Sequence, residues 1–169
     1  YICIMSLQFS FIVPVYNRPD EIEDLLQSFV GLKTTETFEI VIVEDGSTMP
    51  SNDVVSLYKD RLNISYYFKA NTGPGDSRNY GMRHAKGNYF IILDSDCTLP
   101  GTYLEAVVKS LNDHYVDCFG GPDAGHESFT ILQKAINFSM TSFITTGGIR
   151  GGKNHIDKFQ PRSFNMGIS

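Results

Sequence analysis

The sequence predicts a three-layer α/β/α domain with a mostly parallel central sheet. Short apolar segments alternate with amphipathic ones along most of the chain, and this order is typical of strands joined by right-handed helical crossovers. The apolar segments are continuous, which indicates strands covered on both faces. With 169 residues and no internal linker, the chain is most simply one domain spanning 1–169.

The first strand-helix unit has the clearest signals. Phe9–Val15 is a short apolar strand, and Pro19 stands at the first position of the helix that follows. Pro at this position and acids in the first turn favour a helix start, and Gly31 favours its end. The same pattern then repeats, with strands predicted at Phe38–Val43, Ile64–Phe68 and Asn88–Asp94, and helices at Asp53–Leu62, between Asn71 and Gly87, and at Tyr103–Leu111.

The periodicity weakens beyond Asp117. Val116–Gly120 and Arg162–Ser169 are candidate strands, and Phe129–Phe143 is a candidate helix. The segment Thr145–Pro161 is rich in glycine and carries basic residues, and its length favours a functional loop over a simple connection. The expected apolar face of the candidate helix consists of Phe129, Leu132, Ile136, Met140 and Phe143.

Composition excludes several classes of function. The net charge is −5, which argues against nonspecific nucleic-acid binding. No apolar run approaches the length needed to span a bilayer. Three widely spaced cysteines without a CxxC pair indicate a reducing compartment and no zinc site, and the four histidines show no metal-ligand spacing.

Two carboxylates stand at the end of the apolar run Tyr89–Leu93. Asp94 and Asp96 are two residues apart, so on extended backbone they would point to the same side. At about 5 Å and an effective dielectric constant of about 20 they would repel by roughly 3 kcal/mol. A shared proton, an Arg or Lys, or a divalent cation would offset this repulsion, and magnesium is often held by one or two carboxylates plus substrate phosphates. The alternative is a solvated loop whose aspartates merely cap the next helix.

Polar residues also follow two other predicted strands. Tyr16 and Asn17 come after the first strand, and Glu44 and Asp45 after the second. Ligands of parallel sheets bind outside the carboxyl ends of the strands. Three such ends at one edge of the sheet therefore predict a binding site.

Five segments form a pattern that covers nearly the whole chain: Phe9–Pro19, Ile40–Ser47, Asn71–Gly87, Leu93–Asp96 and Phe164–Gly167. In their order and spacing they resemble glycosyltransferase family 2, whose members are inverting enzymes that use nucleotide sugars and have the GT-A fold. The resemblance implies a nucleotide-binding half up to about residue 100 and the start of an acceptor-side half from about 101 onward.

The resemblance also implies a donor site. In it, Pro14 and Tyr16 wall the nucleobase, and Asp45 accepts a hydrogen bond from a base such as uracil. Arg78 reaches the nucleotide, and Asp94 lies on the ribose side. Asp96 binds a divalent metal, Mn²⁺ or Mg²⁺, that bridges the diphosphate. Two ordinary alternatives stay open: Asp45 as a turn residue, and Arg78 paired with Asp76 on a solvated helix face.

The partners that the resemblance implies are a nucleotide-sugar donor, expected to be a UDP-sugar, and a carbohydrate or lipid-linked acceptor. Arg150 or Lys153 of the glycine-rich loop would meet phosphate or acceptor as that loop closes over the donor. Bacterial polysaccharide biosynthesis is typical work for the family. The expected location is the cytoplasm, at the inner face of the membrane if parts outside this chain anchor it.

Inversion requires a general base for the acceptor hydroxyl. In the family this acid follows the segment that resembles Phe164–Gly167, and the sequence ends at Ser169. No residue is therefore assigned as the base, and the chain is expected to be the donor-binding part of a longer enzyme that binds donor better than it transfers sugar.

Two other functions fit parts of the sequence. Asp94-Ser-Asp-Cys-Thr98 has the DxDxT form of haloacid-dehalogenase-like phosphatases, in which Asp94 would be a nucleophile. That motif belongs on an early strand, however, whereas here it follows the fourth. The other alternative is a non-catalytic domain that binds nucleotide sugars.

Overall fold

A computed structural model gives the fold of residues 7–121 and 165–169, together with five separate positions at 131, 132, 135, 138 and 139. Its strands form one six-stranded sheet with helices on both faces, which confirms the predicted three-layer α/β architecture. The elements are β1 (Phe9–Val15), α1 (Pro19–Val30), β2 (Phe38–Asp45), α2 (Asn52–Ser56), β3 (Ile64–Lys69), α3 (Pro74–His84), β4 (Tyr89–Ile92), α4 (Tyr103–Asp113), β5 (Cys118–Gly120) and β6 (Met166–Ile168).

The strand order is β3-β2-β1-β4-β6-β5. The first four strands are parallel, as predicted. β6 runs antiparallel to both of its neighbours, β4 and β5. Because β6 returns along β4, its first residues lie beside the end of β4, where the predicted carboxylate motif begins.

The two faces of the sheet have different cores. Alternation along β1 sends Phe11 to one face and Ile12 to the other. The Phe11 face packs against α1, α2 and α4 and holds the larger core. The Ile12 face is covered by α3, through Tyr80 and Met82.

Gly81 sets how closely α3 approaches the sheet. A methyl group at this position would lie 2.6 Å from Ile12 Cγ2 and 3.3 Å from Val43 Cγ2. Only hydrogen fits there without a shift, so Gly81 lets α3 lie directly on β1 and β2. This contact positions the residues at the start of α3 relative to the ends of those strands.

Several predicted bounds were wrong. α2 ends at Ser56, because i→i+3 hydrogen bonds such as Leu57 to Val54 replace the α-helical ladder beyond it. β4 ends at Ile92, two residues before Asp94. β5 and β6 are shorter than the candidate strands. The five separate positions are helical, within the predicted helix Phe129–Phe143, and Leu132 of its expected apolar face is 71% exposed.

Within the described ranges, no helix is long and apolar enough to cross a membrane.

Candidate functional site

The candidate site lies where β1, β2 and β4 end. These strands are parallel, so their carboxyl ends share one edge of the sheet. The register pairs Val15 with Glu44, so the next residues, Tyr16 and Asp45, are neighbours across the two strands. The predicted polar residues are thereby brought to one edge.

Asp45 is the last residue of β2 and is only 4% exposed. Its Oδ1 accepts hydrogen bonds from Lys69 Nζ at 2.5 Å and from the backbone N–H of Thr72 at 3.0 Å. Its Oδ2 accepts one from the N–H of Gly73 at 2.9 Å. The carboxylate therefore fixes the loop that leads into α3, and it is not the ordinary solvated turn residue of the alternative interpretation.

The pKa of Asp45 lies below its usual value. Burial raises it, but the hydrogen bonds from Lys69, Thr72, Ser77 and Gly73 together outweigh burial. The group is therefore ionised at neutral pH and acts only as an acceptor.

Lys69 is a central residue that the sequence reasoning missed. Its Nζ donates to Asp45, to the hydroxyl of Thr72, and to the carbonyl of Ala70 at 3.2 Å, and it lies 3.3 Å from a carboxylate oxygen of Asp76. Burial lowers the pKa of Lys69, but the contacts with Asp45 and Asp76 raise it above its usual value overall. The signal that could have found it is the register, which pairs Asp45 directly with Lys69.

Glu44 points to the opposite face of the sheet from Asp45, because side chains alternate along β2. It is fully buried. It accepts hydrogen bonds from the hydroxyl of Ser47, from the N–H of Ser51 at 2.9 Å and from the hydroxyl of Tyr66 at 2.9 Å. Burial and the bond to Glu44 raise the pKa of Tyr66, so this phenol stays protonated and keeps donating. The two adjacent acids thus each hold one of the loops beside the site.

Arg78, on α3, forms an ion pair with Asp94, with Nη2 2.7 Å from Oδ1. The alternative pairing of Arg78 with Asp76 is wrong, because Asp76 lies instead beside Lys69 and, at 4.0 Å, Arg83. The Nε of Arg78 is buried without a hydrogen-bond partner in the described part of the chain. A buried donor in this state costs free energy.

Asp94 and Asp96 lie in the turn after β4 and not on the strand itself. The alternation argument for their convergence therefore does not apply. Arg78 supplies the cation that offsets the charge of Asp94, while Asp96 is exposed.

The neighbouring Cys97 donates to the carbonyl of Asp94 at 3.0 Å, and burial, with the charges of Asp96 and Asp94, raises the pKa of its thiol to about 12. Cys97 is thus an unreactive packed residue.

The carboxylates near β4 fit a metal that arrives with a ligand. Among the described residues, no group of three or more His, Cys, Asp or Glu side chains could hold a metal ion. Asp94 and Asp96 alone would leave most coordination positions to other oxygens. Magnesium and similar ions accept this arrangement when phosphates supply the remaining ligands.

Pro14 and Tyr16 differ in exposure. Pro14 is buried within β1. The carbonyl of Ile12 accepts a hydrogen bond from the N–H of Leu93, so the backbone of Ile12 faces β4. The backbone of Pro14, two residues later, faces the same side, but β4 has already ended at Ile92. The missing N–H therefore removes no ladder bond. Tyr16 is 50% exposed at the edge. Arg150 and Lys153 lie outside the described residues.

A three-layer α/β fold with acidic side chains at the carboxyl edge of its parallel strands is typical of domains that bind a ligand at this edge. A family model identifies the family. The chain belongs to glycosyl transferase family 2, whose family model matches residues 10–166.

Several known proteins are similar to this chain. An uncharacterized glycosyltransferase of Rickettsia felis is 36% identical over 105 residues, covering 62% of this chain and 17% of that protein. Poly(ribitol-phosphate) beta-N-acetylglucosaminyltransferase TarS of Staphylococcus aureus is 32% identical over 114 residues, covering 66% of this chain and 20% of TarS. The chain thus spans about a fifth of the length of these relatives.

Solved structures have the same fold. The crystal structure of S. aureus TarS 1-349 in complex with UDP-GlcNAc matches with a TM-score of 0.67 at 30% identity, covering 74% of this chain and 37% of that one. A mannosyltransferase from Pyrobaculum calidifontis, in complex with GDP-Man and Mn²⁺, matches with a TM-score of 0.63 at 24% identity, covering 72% of this chain and 37% of that one.

Proposed function

We propose that this chain is the donor-binding part of a metal-assisted, inverting glycosyltransferase that moves a sugar from a UDP-sugar to a hydroxyl of a carbohydrate or lipid-linked acceptor. The observation that carries the proposal is the convergence of Asp45, Arg78 and Asp94 at one edge of the sheet, on the face covered by α3. The similarity to TarS, solved with UDP and with UDP-GlcNAc, supports UDP as the first nucleotide to test.

Each residue has a distinct role in this proposal. Tyr16 offers a half-exposed ring to the face of the base. Asp45, ionised at neutral pH, accepts from the base N–H. Arg78 donates to the nucleotide through its guanidinium, and Asp94 accepts on the ribose side while it holds Arg78 in place.

Asp96 would hold the divalent ion, with diphosphate oxygens completing its coordination. When bound, such an ion neutralises the charge that develops on the leaving diphosphate. The exposure of Asp96 suits this role, because an incoming metal-diphosphate can reach it from solvent. We assign no general base to a described residue.

The family match favours sugar transfer over the phosphatase alternative. In that alternative Asp94 would be a nucleophile, but its Oδ1 is engaged by Arg78 at 2.7 Å. A non-catalytic nucleotide-sugar-binding domain is the second candidate. Transfer or donor hydrolysis by a longer form of the protein would exclude it.

The proposal is tested by calorimetric titration of the chain with UDP, with and without Mn²⁺, on the unchanged protein and on Asp96→Ala. We expect metal-dependent binding that Asp96→Ala weakens at least about tenfold, since loss of even an outer hydrogen-bond partner of a metal ligand typically lowers metal affinity by about 10- to 100-fold. The matched control is Asp60→Ala, an exposed aspartate that precedes β3 and so lies toward the amino edge of the sheet.

Equal binding by Asp96→Ala would contradict the metal role. If the unchanged protein bound neither UDP, GDP nor TDP with Mn²⁺, the donor-site proposal itself would be wrong for this chain.

A further inference from the structure

Asn17 has an unusual backbone conformation. It follows Tyr16 directly and has a φ of 55°, in the left-handed region that few residues other than glycine adopt. Asn is one of the residues that tolerate this region. The conformation turns the chain sharply between β1 and α1, immediately after Tyr16.

The side chain of Asn17 binds the neighbouring loop. Its Oδ1 accepts from the N–H of Thr48 at 2.7 Å, from the hydroxyl of Thr48 at 3.1 Å and from the N–H of Met49 at 3.0 Å. Three donors from consecutive residues converge on one oxygen. The β1–α1 loop is thereby attached to the loop after β2.

The backbone of Asn17 is attached to the core. Its N–H donates to Ser47 Oγ at 2.7 Å, and the hydroxyl of Ser47 donates in turn to Glu44. Glu44 is fully buried and is also held by Ser51 and Tyr66. The attachment therefore ends at a fixed, buried carboxylate and not at a solvated loop.

We propose that Asn17 is a positioning residue for nucleobase binding, which acts by fixing the backbone of Tyr16 before the ligand arrives. This inference rests on the proposed function, since it requires Tyr16 to stack on the base. An exposed ring on a mobile loop would lose conformational freedom when it stacks. A backbone that is already fixed removes much of that cost from binding.

The test is a double-mutant cycle on Tyr16 and Asn17, with UDP and Mn²⁺ as the probe and calorimetry as the readout. Asn17→Gly keeps the left-handed conformation and removes only the side-chain acceptor. Since base-aromatic stacking of this kind corresponds to roughly 5- to 100-fold in affinity, we expect Tyr16→Ala and Asn17→Gly each to weaken UDP binding by about tenfold. In the Tyr16→Ala background, Asn17→Gly should change the affinity by less than about twofold, because the two residues act as one unit.

Asn17→Asp is the rescue variant. It keeps the acceptor oxygen and tolerates the left-handed region, so it should bind UDP more tightly than Asn17→Gly. Amide hydrogen exchange of Thr48 and Met49 gives a readout that needs no ligand, and it should be faster in Asn17→Gly than in Asn17→Asp.

Two results would overturn the inference while leaving the donor site intact. One is UDP binding by Asn17→Gly that matches the unchanged protein. The other is an equal loss from Asn17→Gly with and without Tyr16, which would indicate a general structural role. Absence of UDP, GDP and TDP binding by the unchanged protein would instead overturn the proposed function, and this inference with it.

Discussion

Lys69 and Asp45 form a charge pair with little contact with solvent, since their side chains are 11% and 5% exposed. Lys69→Met would leave the Asp45 carboxylate in place without its cation. We expect the free energy of unfolding to fall by about 1–3 kcal/mol, as for other buried charged groups that lose a partner. Urea denaturation followed by circular dichroism measures this change.

The matched control is Lys59→Met, because Lys59 is an exposed lysine in the turn after α2. Its effect should lie within about 0.5 kcal/mol of zero, as for most surface substitutions. If Lys69→Met were no more destabilising than Lys59→Met, the pair would not hold the edge of the sheet together.

The lowered pKa of Asp45 also predicts a pH dependence. The folded state binds fewer protons at Asp45 than the unfolded chain does. The contribution of Asp45 to stability is therefore present above the ordinary pKa of about 4, and it is lost as the pH falls from there through the lower pKa of the folded state. Asp45→Asn removes the titration. We therefore expect the free energy of unfolding of Asp45→Asn to fall less steeply between about pH 5 and pH 3, measured by urea denaturation at each pH. Identical slopes for the two proteins would contradict this assignment.

At the scale of elements, the contact of α3 with the sheet depends on Gly81. Gly81→Ala places a methyl group 2.6 Å from Ile12 Cγ2, so α3 must shift away from β1. We expect a loss of about 1–3 kcal/mol in the free energy of unfolding, typical of overpacked sites. UDP binding should weaken as well, because Arg78 moves with the helix. Thermal and urea denaturation measure the first effect and calorimetry the second.

Gly75→Ala is the control on the same helix. A methyl group there meets nothing within 4 Å, and the backbone is not left-handed. Alanine is the better helix former, so stability should stay equal or rise slightly. If both alanine variants lost the same stability, close packing at Gly81 would not be the reason.

The sequence predicted the elements best where the apolar pattern was continuous. β1 has the predicted bounds, and the first four strands are parallel as expected. The length of α2 was wrong because a helical pattern does not distinguish the α-helical ladder from a series of tighter turns. The antiparallel insertion of β6 beside β4 was not predicted, since pairing between residues so far apart in sequence leaves no local signal.

The same distinction applies to the candidate site. The predicted strand ends placed Asp45 at the edge of the sheet, and the motif pointed to Arg78 and Asp94. Lys69 and Asn17 were missed as organising residues because their importance depends on contacts across strands and loops. Lys69 requires the β2–β3 register, and Asn17 requires the left-handed turn that brings it to Thr48.

At the scale of the whole molecule, residues far apart in the sequence meet beside the carboxylate motif. Tyr103, which begins α4, donates its hydroxyl to Asn165 Oδ1 at 2.6 Å, and the N–H of Gly121 donates to the carbonyl of Asn165 at 2.7 Å. Asn165 stands just before β6, which pairs with the end of β4. The turn that holds Asp94 and Asp96 is therefore bordered by residues from the distant end of the sequence, so the site belongs to the assembled fold and not to one local motif.

This arrangement predicts that metal and nucleotide bind together. In the described ranges the site offers the carboxylates of Asp94 and Asp96 but no third metal-binding side chain beside them, so Mn²⁺ alone should bind weakly. Diphosphate oxygens would complete the coordination, and linkage then requires UDP and Mn²⁺ to raise each other's affinity by the same factor, typically about 5- to 150-fold.

Electron paramagnetic resonance of free Mn²⁺, titrated with protein in the presence of UDP or of uridine, measures this factor. Uridine is the control because it carries the base and ribose without the diphosphate. Mn²⁺ binding that UDP does not strengthen beyond uridine would contradict a metal bridge between Asp96 and the diphosphate, whereas a rise with UDP alone that disappears in Asp96→Ala would locate the metal at this carboxylate.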